Sequence, residues 1–387
     1  MRSAIFNLGF RLFFASAAVF AVFTMVRWLF LYSLHIGSST MAAMNPFYWH
    51  GHEMVFGYSF AVVAGFLLTA TGVWTQQKMP HGYTLFFIWL PWLLARVLFF
   101  FGALLPLAMV LDTIFALALL YFFAKPVFAV KQWRQMGIFS KLVLMVIANL
   151  LFMAGSFGPL ARGQHWGLYL ALFIIIALVL TIGRRVMPFF IKSATGFAVR
   201  HYPWTDRTSL LGFFGFVVLD IFTPWHSAAA LFALVAAIAM GWRLIGWHTP
   251  SLWKKPLLWS MYLSMWCIVI GFLMLAVRLW LPVPISLSIA MHMLALGGIG
   301  IMTFSMIGRV SLGHTGRNIH APPKRLLIGF YLLFAALIFR VIMPIILPEH
   351  YVVWMIHAQV AWTVAFVLLV SAYWLIWISA RPDGKFG

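Results

Sequence analysis

The sequence contains very few acidic residues and little charge of either sign. Of 387 residues, 6 are Asp or Glu, and charged residues make up 8% of the chain. A water-soluble domain usually has about 25% charged residues. The apolar content of 64% and the mean hydropathy of +1.01 are also far above those of a soluble domain. This composition excludes a water-soluble globular protein and predicts a membrane protein.

The sequence also has a single cysteine, Cys267. One cysteine excludes an internal disulfide, a cysteine-based zinc site, an iron–sulfur cluster and covalent attachment of a c-type haem. Any haem must therefore be bound without a covalent bond, through imidazole or thioether ligands. The apolar run after Arg11 has no small-residue cleavage site, so we expect the first span to be retained.

Apolar runs recur along the whole chain. Each has about 20 residues, which as a helix crosses roughly 30 Å of hydrocarbon, whereas a barrel strand needs only about 10 alternating residues. We therefore predict an all-α fold, a polytopic membrane helix bundle of twelve transmembrane helices, forming one integral membrane domain over residues 1–387. The predicted spans are 12–34, 47–70, 83–101, 103–124, 139–158, 166–182, 208–225, 227–245, 258–281, 283–307, 326–347 and 351–379.

The basic residues determine the orientation of these spans. With the N-terminus in the cytoplasm, 21 Lys and Arg residues lie on the cytoplasmic side, and Arg162 alone lies in an external loop. The positive-inside rule then places both termini in the cytoplasm. The net charge of +20 is explained by this distribution, so we expect a lipid environment and no nucleic acid partner.

Ionisable residues inside the spans concentrate in the outer half of the membrane. His50, His52 and Glu53 lie at the external end of the second span, and His292 lies about 14 Å below the external end of the tenth. Four arginines fall in the outer halves of outward-running spans: Arg27, Arg96, Arg278 and Arg340. Buried charges in a membrane are costly and usually face a functional cavity. Alternatively, Arg96 and Arg278 can extend to the headgroups, as arginines near helix ends often do.

The His-x-His pair has a geometry that suits two different neighbours. At 100° per residue, His50 and His52 point about 200° apart, so they serve two sites, or one site and a packing contact. The small residues below His50 and the glycines after His292 suit either close helix packing or the flat face of a porphyrin. The spans contain few acids, namely Glu53, Asp112 and Asp220, so the anions that pair with the arginines are expected to come from a ligand.

Haem fits this pattern because its propionates pair with arginine and its ring suits an apolar surface. We predict one or two non-covalent b-type haems, with iron ligands among His50, His52 and His292. The predicted propionate partners are Arg27, Arg96 and Arg340. Copper is a further candidate, because imidazole and the thioethers of Met54 and Met293 are acceptable copper ligands.

Several long motifs resemble those of the NnrS family of bacterial membrane proteins. The resembling stretches are GFRLFF at Gly9 to Phe14, WHGHEMVFGYSFAVVAGFLLTA at Trp49 to Ala70, LARV around Arg96, LDTIFA around Asp112, GRRVMPFFIKSA at Gly183 to Ala194, KPLLW at Lys255 to Trp259, and HMLALGGIGIMTFSMIGRVSLGHTGR at His292 to Arg317. They run in order from the first span to the tenth. The second and the last are long and specific.

The resemblance implies a twelve-helix protein of the bacterial cytoplasmic (inner) membrane. It also implies haem, with copper as a second metal, and a role in nitric oxide tolerance or denitrification. The histidines that match the family motifs are His50, His52 and His292. The resemblance implies a histidine near Tyr262 in relatives, so a site that uses this position is expected to be altered or absent here.

These features favour a haem protein that binds nitric oxide, with two variants, binding alone or reduction as a nitric oxide reductase. Reduction requires protons, which Glu53 is placed to carry from the external side, and electrons from quinol or a separate carrier. The alternatives are a secondary transporter for a metal ion or small ligand, and a haem sensor or assembly factor without turnover. The segment Gly313–Arg317 has the glycines and basic groups of an anion-binding turn, although a structural role is favoured for it.

Overall fold

The computed structural model describes residues 4–36, 44–101 and 104–387. Within these ranges the chain forms twelve long helices and no β-strand. In chain order, α1 to α12 are Gly9–Ser33, Pro46–Thr75, Gly82–Phe101, Leu105–Ala129, Trp133–Ser156, Gly163–Thr195, Pro203–Phe222, His226–Ile245, Pro256–Trp280, Leu287–His314, Lys324–Ile346 and Pro348–Ile378. Each predicted span corresponds to one of these helices, so the all-α polytopic fold is confirmed.

Eleven of the helices in the described residues are long and apolar enough to cross a membrane. The exception is α7, which has the length of a span but carries Asp206, Arg207 and Asp220 within its 20 residues. Those charges lower its hydropathy relative to the other helices. The chain is therefore a multi-pass membrane protein.

Four helices in the described part of the chain contain a π-helical segment. The segments are Leu29–Ser33 in α1, Glu53–Ser59 in α2, Met293–Gly300 in α10 and Ile338–Ile342 in α11. π segments are rare and occur often at functional sites. Two of them begin directly after a histidine of the predicted site, because Glu53 follows His52 and Met293 follows His292.

The chain divides into two compact units. Unit 1 comprises Met1–Ile175, Ile307–Gly329 and Trp362–Gly387, and unit 2 comprises Ile176–Met306 and Phe330–Ala361. The divisions fall inside α6, α10, α11 and α12, so these helices contribute residues to both units.

Close approaches between helices in each unit depend on glycine. In unit 1, a Cβ atom on Gly155 of α5 would lie 2.1 Å from the backbone nitrogen of Gln164 in α6. In unit 2, a Cβ atom on Gly212 of α7 would lie 2.7 Å from the backbone nitrogen of Ala236 in α8. Small residues let helix backbones approach and gain van der Waals contact where lipid provides no hydrophobic driving force.

Candidate functional site

Four ionisable side chains of unit 1 form one buried cluster, here called the tetrad. His52 and Glu53 come from α2, Arg96 from α3 and Asp112 from α4, and each is at most 3% exposed. Arg96 donates from Nη1 to Glu53 and from Nη2 to Asp112. The His52 ring lies between the two acids, with Nδ1 2.9 Å from Glu53 Oε1 and Nε2 3.5 Å from Asp112 Oδ2. Two carboxylates, a guanidinium and an imidazole therefore form one charged network.

The local sequence allows this cluster to close. A Cβ atom on Gly57 would lie 2.8 Å from Arg96 Nη1, so the missing side chain at Gly57 gives the guanidinium room. The same Cβ atom would lie 2.6 Å from the Phe20 ring of α1. Side chains of α1 and α3 thus cover the small-residue face of α2 at Gly57. At this position the small residue serves close helix packing.

Aromatic rings surround the His52 imidazole. The centroids of Phe56, Phe99 and Phe152 lie 4.6 to 4.8 Å from the His52 centroid. Such apolar walls lower the local dielectric constant, which strengthens each charge–charge interaction within the cluster and raises the cost of an unbalanced charge.

The tetrad has room for one more proton. With His52 neutral, Arg96 contributes one positive charge and the two carboxylates contribute two negative charges, so a single added proton balances the cluster. Glu53 Oε2 and Asp112 Oδ2 are buried and accept no hydrogen bond from the residues that the structure describes. Buried polar atoms in this state mark a place for a proton or a water molecule. The cluster can therefore hold a proton at Glu53, His52 or Asp112.

His50 and Arg27 lie on another side of α2. The His50 ring is half-buried and stacks on Trp28 of α1, with 4.4 Å between the centroids and 12° between the planes. The Arg27 guanidinium lies over the rings of Phe100 and Trp49, at 4.5 and 5.1 Å from their centroids. His50 and His52 thus face different neighbours, as the helical repeat predicts.

A second polar group in unit 2 centres on Ser288 of α10. His292 Nδ1 lies 2.7 Å from the backbone oxygen of Ser288. Because a carbonyl only accepts, Nδ1 must carry the hydrogen, which leaves the lone pair on Nε2, the form that binds metals. Arg340 Nη2 donates to the hydroxyl of the same serine at 2.7 Å. Ser288 therefore holds both the imidazole and the guanidinium.

His357 of α12 has the same local geometry as His292. Its Nδ1 lies 2.7 Å from the backbone oxygen of Val353, so its lone pair is also on Nε2. Its ring centroid is 5.3 Å from that of Phe339, the residue before Arg340. Unit 2 thus contains two histidines with the tautomer of a metal ligand.

The glycines after His292 serve helix packing. A Cβ atom on Gly297 would lie 2.7 Å from Cys267 Cβ, and one on Gly298 would lie 2.6 Å from Ile268 Cγ1. Both contacts are made by α9 of the same unit. Of the two explanations that the sequence left open for these glycines, close helix packing is the one seen.

Tyr262 lies buried on α9. Its hydroxyl donates to the backbone oxygen of Leu244 at 3.0 Å. The side chain is thereby fixed within unit 2 by a hydrogen bond to α8.

The two polar groups differ in how well they fit haem. Both ring nitrogens of His52 face carboxylates, and Arg96 is already bound to two acids, so neither side chain fits as an iron ligand or a propionate partner in this arrangement. An exposed fraction of 3% also excludes the alternative in which Arg96 extends to the headgroups. His292 and Arg340 fit better, because the imidazole has the ligand tautomer and the guanidinium is held one helical turn away. Among the described residues, His, Cys, Asp and Glu side chains form no group of three or more suited to hold a metal ion.

The helices and the buried ionisable groups within them define a polytopic helical membrane protein with polar centres inside its membrane-spanning segments. The family model described as NnrS protein matches residues 4–381, nearly the whole chain. The chain therefore belongs to the NnrS family, which confirms the resemblance carried by its motifs. No curated protein matches the chain.

Proposed function

We propose that the protein binds b-type haem through His292 in the outer half of the bacterial cytoplasmic membrane, and that it binds nitric oxide there. The observation that supports this best is the double role of Ser288, which fixes the His292 tautomer and holds Arg340 beside it. Membership of the NnrS family supports the link to nitric oxide. When bound, haem supplies the iron coordination position that nitric oxide occupies.

Arg340 supplies the charge for a propionate in this proposal. It is 9% exposed and its guanidinium is planar, so it can donate two parallel hydrogen bonds to a carboxylate. Its bond to the neutral Ser288 hydroxyl orients it without cancelling its charge. Arg27 is the corresponding cation near His50 in unit 1.

A second haem or a copper ion would use His50 rather than His52. His50 is half-buried and its neighbour is the Trp28 ring, whereas His52 lies between two carboxylates. His50 therefore remains the better predicted ligand of the His-x-His pair.

Glu53 is the proposed proton carrier. Reduction of two nitric oxide molecules to nitrous oxide and water consumes two electrons and two protons, with the electrons supplied by quinol or a separate carrier. Glu53 is fully buried near the predicted external end of α2 and bonds to His52 and Arg96, so it can exchange a proton within the tetrad.

The optical spectrum of the purified full-length protein tests the haem proposal. We expect a Soret band in both redox states, and a haem content that falls when His292 is replaced by alanine. His314→Ala, at the predicted cytoplasmic end of α10, is the matched control and should retain full haem. A protein without a Soret band after expression with ample haem would overturn the proposal and favour the transporter alternative.

Nitric oxide consumption separates binding from reduction. Purified protein supplied with a quinol and nitric oxide should form nitrous oxide if it is a reductase. Glu53→Gln should then slow the formation of nitrous oxide while nitric oxide binding is retained. A stoichiometric spectral shift without nitrous oxide would identify a binding protein.

A further inference from the structure

Basic side chains from three segments meet at the predicted cytoplasmic end of unit 1. Arg11 lies near the start of α1, Arg317 follows α10 and Arg381 follows α12; we call these the arginine cluster. Arg381 Nη1 donates to the backbone oxygen of His314 at 2.8 Å, which joins the ends of α10 and α12. Arg317 and Arg381 both repel Arg11 electrostatically, so each of them lies within electrostatic range of Arg11.

Two of these arginines have strong hydrogen bonds within the chain. Arg11 is fully buried and donates to four backbone oxygens at 2.7 to 2.9 Å. Those acceptors belong to Ile376, Trp377, Ser379 and Gly387. Arg381 donates to Asp383 from Nε at 2.9 Å and from Nη2 at 2.6 Å. Both guanidinium groups are therefore fixed in place.

Arg317 presents a donor that these contacts do not use. Its Nη1 atom is shielded from solvent and has no hydrogen-bond partner among the described residues. Burial lowers the pKa of Arg317, because desolvation disfavours the charged guanidinium. Arginine nevertheless stays protonated in proteins, so this shielded donor requires an acceptor from elsewhere.

The acids of unit 1 do not balance the arginine cluster. The unit contains three acids, Glu53, Asp112 and Asp383. Arg96 binds the first two near the predicted external side, so of these acids only Asp383 contacts the cluster. The three guanidinium groups of the cluster therefore outnumber the acidic side chains that contact them.

The turn before Arg317 packs against the ion pair formed by Arg381 and Asp383. Gly316 has φ +70°, a conformation that glycine adopts without strain. A Cβ atom on Gly316 would lie 3.2 Å from Asp383 Oδ2 and 3.3 Å from Arg381 Nη2, so the turn packs directly on the ion pair. The position of Arg317 is thereby set by the residues that carry the neighbouring charges.

We propose that Arg317, next to the fixed charges of Arg11 and Arg381, binds a phosphate group at the predicted cytoplasmic end of unit 1. Phosphate oxygens accept hydrogen bonds from guanidinium groups in matching geometry. Basic pockets at the cytoplasmic ends of transmembrane helices bind the headgroups of anionic lipids. The same chemistry would also capture soluble phosphate.

Thermal unfolding of the full-length protein in detergent tests this site with three additions: phosphatidylglycerol, inorganic phosphate and the zwitterionic phosphatidylcholine. We expect phosphatidylglycerol to raise the Tm of the wild type. Arg317→Gln should weaken this effect, with an apparent affinity roughly 10-fold to 100-fold lower, as expected for loss of one charge-assisted hydrogen bond. Arg325→Gln is the control, because that exposed arginine makes a single 3.3 Å bond to the Ser371 oxygen.

The outcomes separate the two sources of phosphate. Stabilisation by inorganic phosphate alone, lost in Arg317→Gln, would support the site with a soluble ligand. If phosphatidylglycerol and inorganic phosphate stabilised Arg317→Gln as much as they stabilise the wild type, the proposed phosphate site would be wrong. Native mass spectrometry of the unaltered protein covers the case in which Arg317→Gln does not fold. If native mass spectrometry under saturating conditions showed that neither phospholipid nor phosphate is retained, the proposal would also be wrong.

Discussion

Arg340 and His292 are linked through one serine, because Ser288 accepts a hydrogen bond from Arg340 on its hydroxyl and one from His292 on its carbonyl. The two side chains come from α11 and α10, yet this single residue sets the position of both. A substitution that removes only the hydroxyl therefore separates the two roles, since the carbonyl that fixes the His292 tautomer is kept.

Ser288→Ala should weaken haem retention and leave the axial coordination unchanged. Loss of a residue that orients a metal site typically costs roughly 10-fold to 100-fold in affinity. Haem content and the position of the Soret band measure the two effects separately. The control is Thr303→Val on the same helix, whose hydroxyl donates to the carbonyls of Ile299 and Gly300. Equal haem retention in Ser288→Ala and in this control would show that the hydroxyl has no such role.

Arg96→Met should strongly destabilise the protein. It would leave Glu53 and Asp112 buried without a cation, and breaking a buried ion pair costs about 3–5 kcal/mol. Denaturation in detergent, followed by size-exclusion chromatography, would show the loss. Arg162→Met is the control, because Arg162 is exposed.

The electrostatic origin of that loss can be checked by removing the acids as well. Adding Glu53→Gln and Asp112→Asn to Arg96→Met should restore part of the stability, because amides carry no charge. If the triple variant were as unstable as Arg96→Met, packing around Arg96 would be the cause instead.

The helices could be predicted from the sequence because each apolar run is a local signal. The side-chain pairs could not, because they depend on which helices become neighbours. The sequence indicates that Glu53 and Asp112 are scarce in-span acids, but it assigns their joint partner Arg96 to propionates or headgroups. The contact of α3 with α4 brings Arg96 and Asp112 together, and no periodicity in either helix indicates it.

The π segments and Ser288 also escaped prediction. A repeat of 3.6 residues groups Glu53 with His50, whereas in the structure Glu53 bonds to His52 at the start of a π segment. Ser288 lies four residues before His292, which was the one signal available for its role. That spacing does not indicate that Arg340 of another helix reaches the same serine.

Asp383→Asn should lower stability slightly at neutral pH and have no effect in acid. The Arg381 guanidinium holds the pKa of the Asp383 carboxyl well below its usual range. Because the folded-state pKa is lowered, the stabilisation is fully present above the unfolded value of about 4 and is lost as the pH falls through the folded value. Melting temperatures of wild type and variant should therefore converge as the pH falls below about 4. A difference between Asp383→Asn and wild type that stays constant over this pH range would contradict the assignment.

Two glycines on α5 should respond differently to replacement by alanine. A Cβ atom on Gly155 would meet the backbone of Gly163 and Gln164 at 2.1 to 2.7 Å, and backbone cannot yield unless α5 and α6 move apart. Overpacking of this kind typically costs about 1–3 kcal/mol. A Cβ atom on Gly137 meets nothing within 4 Å among the described residues, so alanine there should gain up to about 1 kcal/mol of helix propensity. Thermal unfolding in detergent should give a lower Tm for Gly155→Ala and an equal or higher one for Gly137→Ala. Equal melting temperatures for the two variants would show that α5 and α6 pack less closely than the glycine contacts require.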